Sequence, residues 1–240
     1  MRYLPRVVYG MLAVVMAAQA IAEENQLTEA EKSAGWKLLF DGKDPSGWIT
    51  SNGSPIGPAA KEGSLNPRNC RTYMIATKEK YENFILSLDF KLTEKCNSGI
   101  FFRVFSMTPL PDVGDVGWNG MEIAVQEGTG TGYHDMGAIY DLVRPAKNAL
   151  KPVGQWNHLE LTCDKNLVMV VINGSLVTWM DLNQWNQANK RPNGTDTKFD
   201  WVFKDFPRRG HIGLQDHGHD AWYKNIKIRE LPAGVRRGQG

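Results

Sequence analysis

From Trp36 onward the chain is a succession of short runs in which apolar and polar residues alternate, separated by turn-forming residues. A period of two puts successive side chains on opposite faces of a strand, so each run predicts a strand with one buried face. The runs fall at residues 36–40, 72–75, 84–92, 98–105, 121–126, 158–163, 167–172, 175–180, 211–215 and 222–229. Residues 72–75 and 84–92 are expected to pair. Asp164-Lys165-Asn166 and Asn173-Gly174 are turn signals that make two successive hairpins of the runs around them. Stretches 51–69, 106–120, 127–155 and 183–206 read as loops, and no long helical period appears. About ten to twelve short strands joined in this way predict an all-β fold, a two-sheet antiparallel β-sandwich or jelly roll.

The two ends differ from this body. Arg2 and Arg6 precede an apolar stretch over residues 7–18, and Ala20-Ile21-Ala22 is a small-x-small cleavage pattern. Residues 1–22 therefore read as a signal peptide, too short in its apolar part to span a bilayer, which takes roughly 20 residues. An exported protein, periplasmic or extracellular, is expected. Residues 23–34 form a polar, helix-prone leader, 35–231 a single domain, and 232–240 a flexible tail. A hydrophobic content of 42% with 22% charged residues is that of a globular chain rather than a disordered one.

Charge narrows the partners. The chain has 28 Lys and Arg against 26 Asp and Glu, and losing Arg2 and Arg6 leaves 28 − 2 = 26 basic residues. A near-neutral mature chain without a clustered basic face argues against nucleic acid or an anionic membrane as partner. Cys70, Cys96 and Cys163 are odd in number; Cys70 and Cys96 flank one hairpin and could pair, or all three could remain thiols.

Seven short motifs then occur in order: Leu38-Leu-Phe-Asp-Gly-Lys-Asp-Pro-Ser-Gly-Trp48, Asn97-Ser-Gly-Ile-Phe-Phe-Arg103, Gly120-Met-Glu-Ile-Ala-Val125, Gly137-Ala-Ile-Tyr-Asp-Leu142, Trp156-Asn-His-Leu-Glu160, Val171-Ile-Asn-Gly174 and Gly213-Leu-Gln-Asp-His-Gly218. Together they resemble the 3-keto-disaccharide hydrolase domain family, over about residues 35–231. The resemblance implies a concanavalin A-like fold and a saccharide substrate already oxidised to a ketone at carbon 3. Such a ketone acidifies the proton on carbon 2; its removal gives an enolate that can expel the glycosidic oxygen from carbon 1. The step needs a base, an enolate stabiliser and a proton donor.

Strand parity nominates residues for these tasks. If Ile100, Phe102, Ile123, Val125, Ile212 and Leu214 face the core, then Arg103, Glu122, Gln126, Gln215 and His217 line one outer face. Glu122 is the candidate base or acid, Arg103 the oxyanion partner with its forked donors, and His217 a proton carrier. Asn97, Gln126, Tyr140 and Gln215 are candidate substrate-binding groups. His211, His217 and His219, with Asp216 and Asp220 nearby, could hold a divalent metal such as zinc, though their spacing matches no ligand motif. No cofactor is firmly implied.

Two other readings stay open. Glu122 and Glu127 have the spacing of the two carboxylates of a retaining laminarinase-type glycosidase, if a bulge brings them to one face; Ala124 stands where that pattern has an assisting Asp. Alternatively, the chain is a non-catalytic lectin-like module, with loop residues Trp118, Trp185 and Trp201 stacking on sugars.

Overall fold

The computed structural model describes residues 23–111 and 113–232. The proposed signal peptide, and all of the proposed tail but Pro232, lie outside the described residues. Among the described residues thirteen strands follow a short helix, α1 (Glu29–Ser33): β1 (Trp36–Leu38), β2 (Trp48–Thr50), β3 (Ala60–Lys61), β4 (Ser64–Leu65), β5 (Met74–Thr77), β6 (Phe84–Leu92), β7 (Asn97–Val104), β8 (Met121–Gln126), β9 (Asn157–Asp164), β10 (Leu167–Ile172), β11 (Ser175–Asp181), β12 (His211–Gln215) and β13 (Ala221–Glu230).

They form two antiparallel sheets packed face to face. The larger runs β11-β10-β9-β6-β13-β4-β3, with β1 also on β13, and the smaller runs β2-β5-β12-β7-β8. This is the expected sandwich. In β6, Phe84, Leu86, Leu88, Phe90 and Leu92 enter the core, and from the other sheet Ile75, Ile100, Phe102, Ile123, Val125, Ile212 and Leu214 meet them. Asn173 and Gly174 both take positive φ, 49° and 75°, the geometry of the tight turn that joins β10 to β11.

The expected pairing of residues 72–75 with 84–92 does not form. β5 lies in the smaller sheet between β2 and β12, whereas β6 lies in the larger one between β9 and β13. Both runs are apolar enough to be central, and local pattern cannot say in which layer a central strand sits. The Cys70–Cys96 disulfide is also absent, all three cysteines being thiols. The Cys70 Sγ faces the Ile56 carbonyl and the Cys96 Sγ that of Asp220.

The polar leader is part of the fold. Thr28 and Glu31 cap α1 reciprocally. Asn25 and Asn225 each receive the other's backbone N–H on the side-chain oxygen, at 2.6 and 2.9 Å.

Candidate active site

The smaller sheet's outward face is set by β7 and β8, whose register runs unbroken from Asn97↔Gln126 to Phe102↔Met121. Met121, Ile123 and Val125 enter the core, so Glu122, Ala124 and Gln126 face outward. The Glu122 side chain then lies across Gly99, where a Cβ would stand 2.7 Å from the carboxyl carbon. Gly99 leaves that space open.

Over Glu122 two loops close a small cleft. Its wall holds Tyr73, Asp115, Trp118, Tyr140 and Lys198, and its volume is about 50 Å3. Tyr140 is tied to the strand, its N–H donating to the Glu122 carbonyl at 2.8 Å. The Lys198 ammonium sits 4.2 Å from the Tyr140 ring centre and 5.4 Å from that of Trp118. The Tyr73 hydroxyl accepts from Gln215 Nε2 at 3.2 Å.

This setting displaces the carboxyl. Burial pushes the Glu122 pKa up to about 8, with Lys198 pulling it back in part and Asp115 adding to the rise. The residue as a whole keeps some exposure, but its carboxyl end is the part laid against Gly99. Burial likewise raises the Tyr73 hydroxyl, helped by the charges of Asp115 and Glu122. A carboxyl that titrates near pH 8 rather than 4.5, beside a cation, is the arrangement a proton-transfer site requires.

Asp141 fixes the loop that carries Lys198. Its carboxylate accepts from the Lys198 N–H at 2.7 Å, the Thr197 hydroxyl at 2.8 Å and Arg191 Nη2 at 2.8 Å. Burial alone would raise its pKa; the Lys198 and Thr197 hydrogen bonds and the Arg191 charge outweigh that and lower it. His134 approaches the same carboxylate at 3.5 Å and stacks on Tyr140 at 4.5 Å. Asp141→Asn should cost about 2 kcal/mol by weakening charge-assisted bonds. Urea unfolding checks this, and an unchanged midpoint would remove Asp141 as the loop's anchor.

Glu122 and Tyr140 of the predicted residues line the cleft, and Gln215 adjoins it through Tyr73. The Gln215 Oε1 is buried without a partner among the described residues. Asn97 and Gln126 face each other at the far end of the same strand pair, outside the cleft wall. His217 is exposed in the turn after β12 and does not line the cleft.

Arg103 is not on this face. Between Phe101↔Gly213 and Val104↔His211, β7 spends three steps against two on β12, a bulge with Arg103 at φ 55°. The extra residue turns Arg103 inward, where it is fully buried and donates to the Lys165 carbonyl at 2.8 Å. The next residue but one, Phe105, is half-buried and packs against the core.

The metal candidates are dispersed. His211 opens β12 with Nδ1 2.7 Å from the Thr77 carbonyl, while His217 and His219 follow the strand's other end. Among the described residues no group of three or more His, Cys, Asp or Glu side chains is placed to hold a metal. Glu127 lies beyond β8, accepting from the Lys95 N–H, and the unbroken β7–β8 register lacks the bulge that would bring it beside Glu122. Trp185 is a buried core residue, and Trp118 and Trp201 are half-buried.

Sequence reading missed Tyr73, Asp115, Lys198 and the Asp141–His134 pair. Lys198 sits in a long polar loop with no periodicity to orient it. A larger cleft of about 570 Å3, beside β11, is lined in part by Trp185 but by none of the predicted catalytic, substrate-binding or metal residues.

Comparison with known proteins agrees with the motif order. Residues 35–229 match the profile of the 3-keto-alpha-glucoside-1,2-lyase-like domain. A 3-keto-disaccharide hydrolase of Bacteroides thetaiotaomicron is 24% identical over 249 residues, covering 88% of this chain and 83% of that protein. A crystal structure from Parabacteroides distasonis, described as a glycosyl hydrolase, is 32% identical and superposes with a TM-score of 0.64 over 82% of this chain and 99% of its own. A second from the same organism, at 24% identity and a TM-score of 0.69, shares the fold.

Proposed function

The chain belongs to the 3-keto-alpha-glucoside-1,2-lyase-like domain family, and from that premise we propose that it cleaves the glycosidic bond of 3-keto-glycosides at the Glu122 cleft. The observation that carries this reading is a carboxyl raised to about 8 in an aromatic cleft that also holds a lysine cation. Ionised Glu122 takes the proton from carbon 2, made acidic by the neighbouring ketone. The enolate oxygen that develops on carbon 3 is met by the Lys198 ammonium. The glycosidic oxygen then leaves carbon 1, protonated by a donor on the cleft wall, where Tyr140 stands next to Glu122. Addition of water to the product completes a net hydrolysis. At about 50 Å3 the cleft holds little more than water, so admitting a sugar ring requires its wall to widen while the Lys198 ammonium stays within reach of carbon 3.

The test is to offer the purified protein a 3-keto-disaccharide and its unoxidised parent. Cleavage of the keto sugar alone supports the reading; cleavage of the parent favours an ordinary glycosidase, and binding of both without turnover favours a lectin. Lys198→Met should lower turnover by about 10² to 10³-fold, and a rate near wild type would remove Lys198 from the enolate's surroundings. If chelation abolishes activity and an added divalent ion restores it, a metal rather than Lys198 stabilises the enolate.

Export completes the proposal. The charged start, apolar stretch and Ala20-Ile21-Ala22 pattern support cleavage after Ala22. Mass spectrometry of protein from the extracytoplasmic fraction should find a chain starting at Glu23; a chain retaining Met1 to Ala22 would contradict it.

A further inference from the structure

We infer that the 570 Å3 cleft beside β11 is a second saccharide site, selective for a sugar that carries a carboxylate or sulfate group. It shares no lining residue with the Glu122 cleft. Asp141 stands between the two, holding the Lys198 backbone of one and the Arg191 side chain of the other.

The aromatic part of this cleft is Trp179. It lies on the outward side of β11, opposite Met169 of β10, and at 57% is the most exposed of the large hydrophobic side chains among the described residues. An indole face left in water at the rim of a concave site is suited to the apolar face of a pyranose ring.

The charge comes from the facing wall. Tyr133 carries two guanidiniums on its ring, Arg191 at 3.8 Å and Arg144 at 5.4 Å. They are not equivalent. Arg191 is buried and neutralised by Asp141, whereas Arg144 is exposed with no carboxylate in ion-pair range among the described residues. The acid in the cleft, Asp181, is engaged by Asn166 at 2.6 Å and the Asn183 N–H at 3.0 Å. Arg144 is thus a planar, forked donor at the mouth of a polar cleft, held in orientation by an aromatic ring. That geometry matches a carboxylate or sulfate oxygen pair. Trp179 supplies ring stacking and Arg144 reads the anion.

Calorimetric titration of the intact protein with tetragalacturonate, its carboxyl-reduced neutral form and a dextran sulfate oligosaccharide tests this. Binding of either anionic probe, with the neutral form at least about tenfold weaker, is expected, and the preferred probe tells carboxylate from sulfate. Trp179→Ala and Arg144→Gln should each weaken that binding about tenfold or more and leave cleavage of a 3-keto-disaccharide unchanged. Both side chains are exposed, so melting curves should match wild type. Failure of every probe to bind, equal binding of the neutral form, or binding that survives both substitutions would overturn the inference. So would a dimer that Trp179→Ala turns into a monomer, since a second copy would then cover this face. The titration reads binding alone, so its outcome is independent of whether Glu122 turns over a keto sugar.

Discussion

Glu122→Gln should lower turnover of a 3-keto-disaccharide by about 10³-fold, within the 10² to 10⁴-fold range of a lost proton-transfer group. The amide keeps the shape that fits over Gly99 but cannot accept the carbon 2 proton. In the wild type, log(kcat/KM) should rise with pH and level off above about 8, where the carboxyl ionises in the free enzyme. A profile that falls over the same range would make Glu122 the acid rather than the base, and a flat one would remove it from proton transfer. Stability carries the same signature with opposite sign. The folded-state pKa lies above the ordinary carboxyl value of 4.5, so folding favours the protonated form and stability declines as pH rises from about 4.5 to 8. Glu122→Gln should flatten that decline and be the more stable protein at pH 8.5, which melting curves at pH 5 and pH 8.5 would show. Equal pH slopes for the two proteins would mean that the carboxyl is not desolvated.

Gly210→Ala, just before β12, should be a strongly destabilising small substitution. Gly210 exchanges both backbone hydrogen bonds with Tyr81, at 2.8 and 3.0 Å, and presses against the bulge of β7. A Cβ there would stand 2.5 Å from the Val104 nitrogen and 2.7 Å from the Arg103 Cα. These are main-chain atoms, which no rotamer change can move aside. The cost should reach about 3 kcal/mol, or a fall in Tm of roughly 6 to 12 °C for a domain of this size. A Tm within about two degrees of wild type would show that the bulge yields easily.

That bulge also marks the limit of reading the site from sequence. Alternation placed Glu122 on the outward face because β7 and β8 pair without interruption. The same rule carried past Phe102 put Arg103 beside it, and one extra residue reversed the answer. Nothing in Phe101-Phe102-Arg103-Val104 announces the positive φ; it occurs where Gly210, over a hundred residues away in the chain, passes close to the main chain. Hairpins were legible where local turn chemistry decides them, as at Asn173-Gly174. The layer in which β5 lies was not, since it depends on contacts distant in sequence. Lys198 and Asp141 escaped for a related reason. Hydrogen bonds between two long loops bring them to the site, and a loop has no period from which facing can be inferred. Trp179 was placed on a strand by its alternation, but that the strand's outer face borders a cleft emerges only when residues 131–145 fold beside it.

The three cysteines, finally, bear on how the protein can be made. Each is a thiol whose pKa burial raises, to about 11 for Cys96 and about 12 for Cys163. Thiolate, the species that attacks a disulfide or an oxidant, is therefore scarce at neutral pH. The sandwich is held by non-covalent contacts, without a disulfide. Its maturation calls on no oxidase or disulfide isomerase, and dithiothreitol has no cross-link to cut. The domain can reach the same folded form in reducing and in oxidising surroundings.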